Sequence, residues 1–135
     1  MTPVFFYGLF MDASLLRDKG FSPSEPVITC VDDFRLRIGA RATLLPVPGE
    51  RAYGTVMALS ESEIEALYGD DSVADYVPEH VTARTLAGAE IPTVSYILPE
   101  DKLSGQNAEY LGKLISIAEI IGLPDEYFAS LKAMA

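Results

Sequence analysis

Apolar segments too short to be typical helices, separated by turn signals, fill much of the chain from Pro3 to Leu98, and this pattern most limits what the chain can fold into. The first segment runs from about Pro3 to Tyr7. Two more are expected at Pro26 to Val31 and Phe34 to Ile38. In the second of these, Phe34, Leu36 and Ile38 alternate with Arg35 and Arg37, the period of a strand with one buried face. RATLLPVPGERAYGTVMALS predicts a hairpin with its turn in PVPGER, signalled by Pro48-Gly49, and a return strand from Ala52 to Leu59. His80 to Leu86 and Ile91 to Leu98 predict a second hairpin across AGAE.

Helical signals are fewer and grouped. DASLLRDKG predicts a short helix with Asp12 as N-cap and Gly20 as its stop. SESEIEALYG opens with a capping box, serine at N-cap and glutamate three residues on, and stops at Gly69. From Asn107 to Ile121, Leu111, Leu114, Ile115, Ala118 and Ile121 recur at three- and four-residue steps, a stripe suited to packing on a sheet. Gly122 ends that helix, and Pro124 starts another with Asp125 and Glu126 in its first turn. Hairpin-connected strands with grouped helices predict an α+β fold: a small mixed, mostly antiparallel, partly closed β-barrel with peripheral helices. The regular βαβ alternation of a doubly wound sheet is missing.

A length of 135 residues suits one domain over residues 1–135, with 107–135 a helical tail packed on the barrel. Twenty acidic residues against ten basic give a formal net charge of −10, which argues against nucleic acid and anionic lipid as partners. No apolar run approaches the ~20 residues of a membrane-spanning helix, and no basic region precedes the first apolar stretch, so the expectation is a cytoplasmic protein without a signal peptide. Cys30, the single cysteine, lies in the strand-like run VITCVDDF and reads as a small buried hydrophobe. One cysteine and one histidine, His80, leave little for a zinc site, and no glycine-rich phosphate loop appears, so neither a metal nor a cofactor is expected.

VFFYGLFMD, residues 4–12, places a Tyr-Gly turn in the middle of an apolar segment. Three pieces give it a context: VFFYG at the start, AYGTVMALSESEIEALYGDD in the middle, then YVPEHVTARTL and IPTVSYIL as a hairpin. In this order they resemble the γ-glutamylcyclotransferase-like family. Its members begin with a strand running into a Tyr-Gly loop, continue with a strand of the form x-G-x-V-apolar, and then carry a short helix ending in Leu-Asp-x-x-Glu-Gly, a tyrosine and two further strands. The tail NAEYLGKLISIAEIIGLP looks like one found in some bacterial branches.

The resemblance implies a small mixed barrel and release of 5-oxoproline from a γ-glutamyl amine or γ-glutamyl amino acid, with a small molecule as partner. It also implies that backbone N–H groups of the Tyr-Gly loop hold the glutamyl group, here through Tyr7, Gly8, Leu9 and Phe10, with Tyr76 lining the pocket. Gly8 would let the main chain approach a ligand, and the apolar side chains would anchor the loop.

The family's proton shuttle is a glutamate after the short helix, and this sequence departs from it. Aligning Leu67-Tyr68 with Leu-Asp puts Asp71 at the shuttle position and Ser72 at the glycine; sliding by one puts Asp70 there instead. Glu79 is the nearest glutamate downstream. Aspartate has the same acid chemistry with a reach shorter by one methylene, and an adjacent carboxylate pair raises one pKa by repulsion. The alternative is a solvated acidic loop. Arg41, at a strand start, is a candidate partner for a substrate carboxylate, and Arg37 reads as surface. Tyr53-Gly54 repeats the pair on a middle strand, where glycine permits close backbone packing. Three readings follow: a cyclotransferase acting through Asp71 or Asp70; a binding module that keeps the pocket without turnover; and a protein-interaction role through the apolar C-terminal helices, a homodimer being one form of it.

Overall fold

The computed structural model describes residues 1–71 and 73–134. Its elements in chain order are β1 (Thr2–Phe6), α1 (Ala13–Asp18), β2 (Val27–Ile38), β3 (Ala42–Leu59), α2 (Glu61–Tyr68), β4 (Val77–Thr85), β5 (Glu90–Ile97), α3 (Ala108–Ile121) and α4 (Asp125–Ala133), with 3₁₀ turns at Leu9–Met11 and Glu100–Lys102. The strands close into a barrel in the order β1-β3-β2-β4-β5. All pairs are antiparallel except β1 with β5, which meet in parallel at Val4 and Val94. The barrel is therefore mixed and mostly antiparallel, and it is closed rather than partly closed, which removes the exposed edges of an open sheet.

The first expected hairpin does not form at Pro48-Gly49. Residues 42–59 are one strand, antiparallel to β2 along its length, and the chain reverses at 39–41 instead. Asp32 pairs with Arg51 and Phe34 with Pro46, so one residue of β2 faces residues 47–50 of β3 across a bulge. Asp33 takes a φ of 65° and Gly49 a φ of 85°, and the Gly49 N–H donates to Asp33 Oδ1 at 2.9 Å. The Pro-Gly pair thus makes a bulge whose partner is another bulge. The same pairing merges the two strands expected at 26–31 and 34–38 into β2.

Helix boundaries follow their caps. Asp12 Oδ1 accepts from the Ser14 N–H at the start of α1, Asn107 Oδ1 from the Tyr110 N–H at the start of α3, and Gly122 ends α3 with φ 84°. At α2, Ser60 Oγ accepts from the Glu63 N–H at 3.2 Å while Glu63 Oε1 accepts from the Ser60 N–H at 2.9 Å. The other oxygen of Glu63 accepts from the Ser22 N–H at 2.6 Å, tying the β2 approach to the helix. These backbone donors hold the Glu63 carboxyl below the usual carboxylate range, those of Ser60 first. Ser60→Ala removes the oxygen that accepts the Glu63 N–H and should cost about 1 kcal/mol, read as a shift in the urea midpoint at unchanged slope.

The core fills the barrel with Val4, Phe5, Phe6, Leu44, Met57 and Leu59 and extends beneath the C-terminal helices through Leu114, Ala118, Leu123 and Leu131. Three buried hydroxyls inside it bond main-chain carbonyls, Thr43 to Leu98, Thr93 to Val81 and Ser95 to Phe5, as buried polar groups usually do, whereas the buried Thr29 hydroxyl has no such bond among the described residues. Cys30 is buried on β2 opposite Arg84, whereas His80 is exposed on β4. Among the described residues, no helix is long and apolar enough to cross a membrane.

Candidate functional site

The Tyr-Gly segment leaves β1 at one end of the barrel and turns at once into the 3₁₀ turn Leu9–Met11, closed by the Met11 N–H on the Gly8 carbonyl and the Asp12 N–H on the Leu9 carbonyl. Those bonds leave the Leu9 and Phe10 N–H groups without a partner inside the turn, as at the start of any helical turn. Met11 is fully buried, its carbonyl accepts from Thr55 Oγ1 at 2.9 Å, and Leu9 and Phe10 pack against the core. That packing is what the apolar run provides: it fixes a stretch of main chain that opens toward a cleft.

The cleft has a volume of about 480 Å³. The loop Tyr7–Phe10 forms one wall, Leu15, Asp18 and Lys19 of the α1 region a second, and Ala40, Arg41 and Ala42 a third. Tyr68, Val73, Tyr76, Tyr96 and Tyr110 complete it. Five tyrosines thus share one cavity. The Tyr7 hydroxyl donates to the Tyr96 carbonyl at 2.7 Å and that of Tyr76 to the Ala42 carbonyl at 2.5 Å. The rings of Tyr68 and Tyr96 stack at 3.9 Å between centroids and 13° between planes. Tyr110, reaching back from α3, accepts the Leu9 N–H at 3.3 Å.

Gly8 leaves room for the end of the Tyr110 side chain, and its torsion angles do not call for glycine. Its φ of −109° is open to any residue, but a Cβ would run onto the Tyr110 hydroxyl.

Burial raises the pKa of every cleft tyrosine: Tyr7 well above its ordinary value, Tyr68 and Tyr96 upward, and Tyr76 and Tyr110 up to about 12. The unfolded chain therefore ionises first as pH rises above 10. The stability these groups contribute is complete below pH 10 and falls as pH climbs through 12. In an ultraviolet titration the phenolates of Tyr76 and Tyr110 should appear near pH 12, together with a drop in the unfolding midpoint beginning near pH 10.

Of the residues singled out from the sequence, Tyr7, Gly8, Leu9, Phe10 and Tyr76 all line this cleft. Asp70 and Asp71 do not: both are exposed just beyond α2, where the Val73 N–H donates to the Asp70 carbonyl and the chain continues to Tyr76. Ser72 lies outside the described residues. Glu79 is exposed on β4, and Arg37 is exposed on β2. Arg41 lines the cleft, with its guanidinium 3.3 Å from Asp75 and over the Tyr76 ring at 5.9 Å. Sequence reasoning missed Tyr68, Tyr96, Tyr110, Asp18 and Lys19. The one available signal was an aromatic content carried by seven tyrosines and no tryptophan.

No family model matches the chain. It is 30% identical over 98 residues to the γ-glutamylcyclotransferases of Mus musculus and Homo sapiens, alignments that cover 71% of this chain and 52% of each relative. The chain thus spans about half the length of the curated relatives it matches. Among solved structures, one named γ-glutamyl cyclotransferase superposes with a TM-score of 0.83 at 24% identity, over 98% of this chain and 86% of that one. A Homo sapiens protein described as uncharacterized gives 0.82 at 25% identity, with the same coverage. The protein YkqA of Bacillus subtilis gives 0.79 at 20% identity, over 98% of this chain and 53% of that one. The chain belongs to the γ-glutamylcyclotransferase-like family.

Proposed function

We propose that the protein binds the γ-glutamyl half of a γ-glutamyl amine or γ-glutamyl amino acid in this cleft and releases it as 5-oxoproline. The observation that carries this reading is the anchored Tyr7–Phe10 main chain opening onto a cavity otherwise walled by aromatic rings. N–H groups there are suited to a carboxylate or a developing oxyanion, that of Leu9 once a ligand displaces the Tyr110 hydroxyl it now meets at 3.3 Å, and they act more strongly where water is scarce.

The α-ammonium of the substrate must first lose a proton to a base. The freed amine then attacks the γ-carbonyl carbon, closing a five-membered ring and placing the electron pair on oxygen. The ring nitrogen then gives up its second proton; as the carbonyl re-forms, the bond to the leaving nitrogen breaks, and that nitrogen takes up both protons in turn and departs as an ammonium. One carboxylate can serve both transfers, and the intramolecular geometry already supplies proximity. In this reading the carboxylate is Asp71, or Asp70 beside it. Nothing in these steps draws on a metal or cofactor.

The exposure of both aspartates favours a second reading, a binding pocket without turnover. The deciding experiment incubates the protein with a panel of γ-glutamyl amino acids and amines and quantifies 5-oxoproline by mass spectrometry, with ligand binding measured in parallel by calorimetry. Product release supports the enzyme, binding without product supports the pocket, and neither would sink both.

A further inference from the structure

The chain carries a net charge of −10, yet the charged residues lining the cleft are Lys19 and Arg41 against Asp18 alone. Counted with Asp75, which faces Arg41, the cleft is close to neutral where the chain as a whole is strongly acidic, and a cation there draws an anion only if it lacks a partner of its own. The two cations are placed differently. Arg41 already faces Asp75 at 3.3 Å. Lys19 makes no ion pair among the described residues; its Nζ lies 5.8 Å from the centroid of Phe10, a residue of the loop itself. Its ammonium thus lies over the ring of a loop residue on the same cleft wall as Asp18, and a ring face stabilises it there only partly. The walls beyond are apolar and aromatic: Leu15, Val73 and the stacked pair Tyr68 and Tyr96.

Resting on the cyclotransferase reading, we propose that Lys19 recognises a carboxylate on the leaving amine and that the aromatic wall takes its side chain. The preferred substrates are then γ-glutamyl α-amino acids with bulky apolar or aromatic side chains. In such a ligand the glutamyl end meets the Tyr7–Phe10 loop, the second carboxylate meets Lys19, and the ring or branched chain covers Tyr68 and Tyr96. Arginine at position 19 keeps the charge; alanine removes it.

Calorimetric titration with γ-glutamylphenylalanine, γ-glutamylphenethylamide, γ-glutamylalanine and γ-glutamylputrescine separates the contributions, since the second lacks only the carboxylate and the third only the ring. The expected result is tightest binding of γ-glutamylphenylalanine, about fivefold over the phenethylamide, as one solvent-facing charge pair allows. That preference should shrink in high salt. Lys19→Ala should erase it and Lys19→Arg keep it. Equal affinity for the acid and its amide, a preference that survives Lys19→Ala or high salt, or tighter binding of alanine or putrescine conjugates overturns the inference; a putrescine preference would assign the contact to Asp18. The salt dependence is read on the unaltered protein, so the inference can fail even if a variant does not fold. Failure of every γ-glutamyl compound to bind overturns the cyclotransferase reading itself, whereas binding without discrimination overturns only the role of Lys19.

Discussion

Asp71→Asn should lower 5-oxoproline release by about a hundredfold or more while leaving the affinity for a γ-glutamyl ligand within about twofold. Asparagine keeps the size and hydrogen-bonding reach of aspartate but cannot take a proton at neutral pH, so it removes general acid–base catalysis, a contribution of about 10²–10⁴-fold, and little else. Position 71 follows the C-cap of α2, Gly69, by two residues and is exposed. To act, its carboxylate must reach the cleft, which Tyr76 lines. Asp71→Glu supplies the methylene that the family's glutamate has, so it should retain release or raise it. A loss seen with Asp70→Asn and not with Asp71→Asn would transfer the role to the neighbouring residue. Unchanged release in both would leave the chemistry without a carboxylate from this segment.

What the sequence disclosed, and what it hid, divides by the range of the interactions involved. The caps of α1, α2 and α3 depend on residues within four positions of one another, and Asp12, Ser60, Asn107, Gly69 and Gly122 mark helix ends where local chemistry puts them. The alternation at 34–38 faces the barrel interior for the same reason. Pro48-Gly49 misled because a local turn signal was outweighed by a distant partner. Asp33, in a left-handed conformation on β2, accepts the Gly49 N–H, so the strand bulges and continues. The true reversal at 39–41 is tied to residues far along the chain: the Ala40 N–H donates to the Ser104 carbonyl, and the Ala40 carbonyl accepts from Asn107 Nδ2.

The site shows the same division. Tyr7 to Phe10 were legible because the turn is contiguous. Tyr68 ends a helix, Tyr96 sits on a strand and Tyr110 opens α3, so nothing in their spacing shows that they share a cavity.

Gly54→Ala should destabilise the protein by about 3 kcal/mol and weaken ligand binding with it. Replacing glycine by alanine normally helps a folded chain slightly, by lowering the entropy of the unfolded one, so a loss of this size needs a steric cause. At Gly54 the cause is backbone. A Cβ would collide with the Phe6 carbonyl oxygen and lie 3.1 Å from Phe5 Cζ, which is itself buried in the core. Overpacking against side chains costs about 1–3 kcal/mol, and a main-chain carbonyl within a paired strand has less room to yield. The neighbouring pair, Thr55 with Phe6, is the last in the β1–β3 ladder before the Tyr-Gly turn. Any relief must therefore come from moving Phe6, and moving Phe6 displaces the N–H groups that follow it. Gly112→Ala is the matched comparison. It lies inside α3, where an added methyl would meet no atom within 4 Å, so it should gain about 0.5–1 kcal/mol from helix propensity. Urea unfolding of the two variants should move in opposite directions, and ligand titration should change only for Gly54→Ala. A gain in stability at both positions would mean that β1 and β3 are not pressed together there, and the tyrosine-glycine pair on β3 would need a different reason for its glycine.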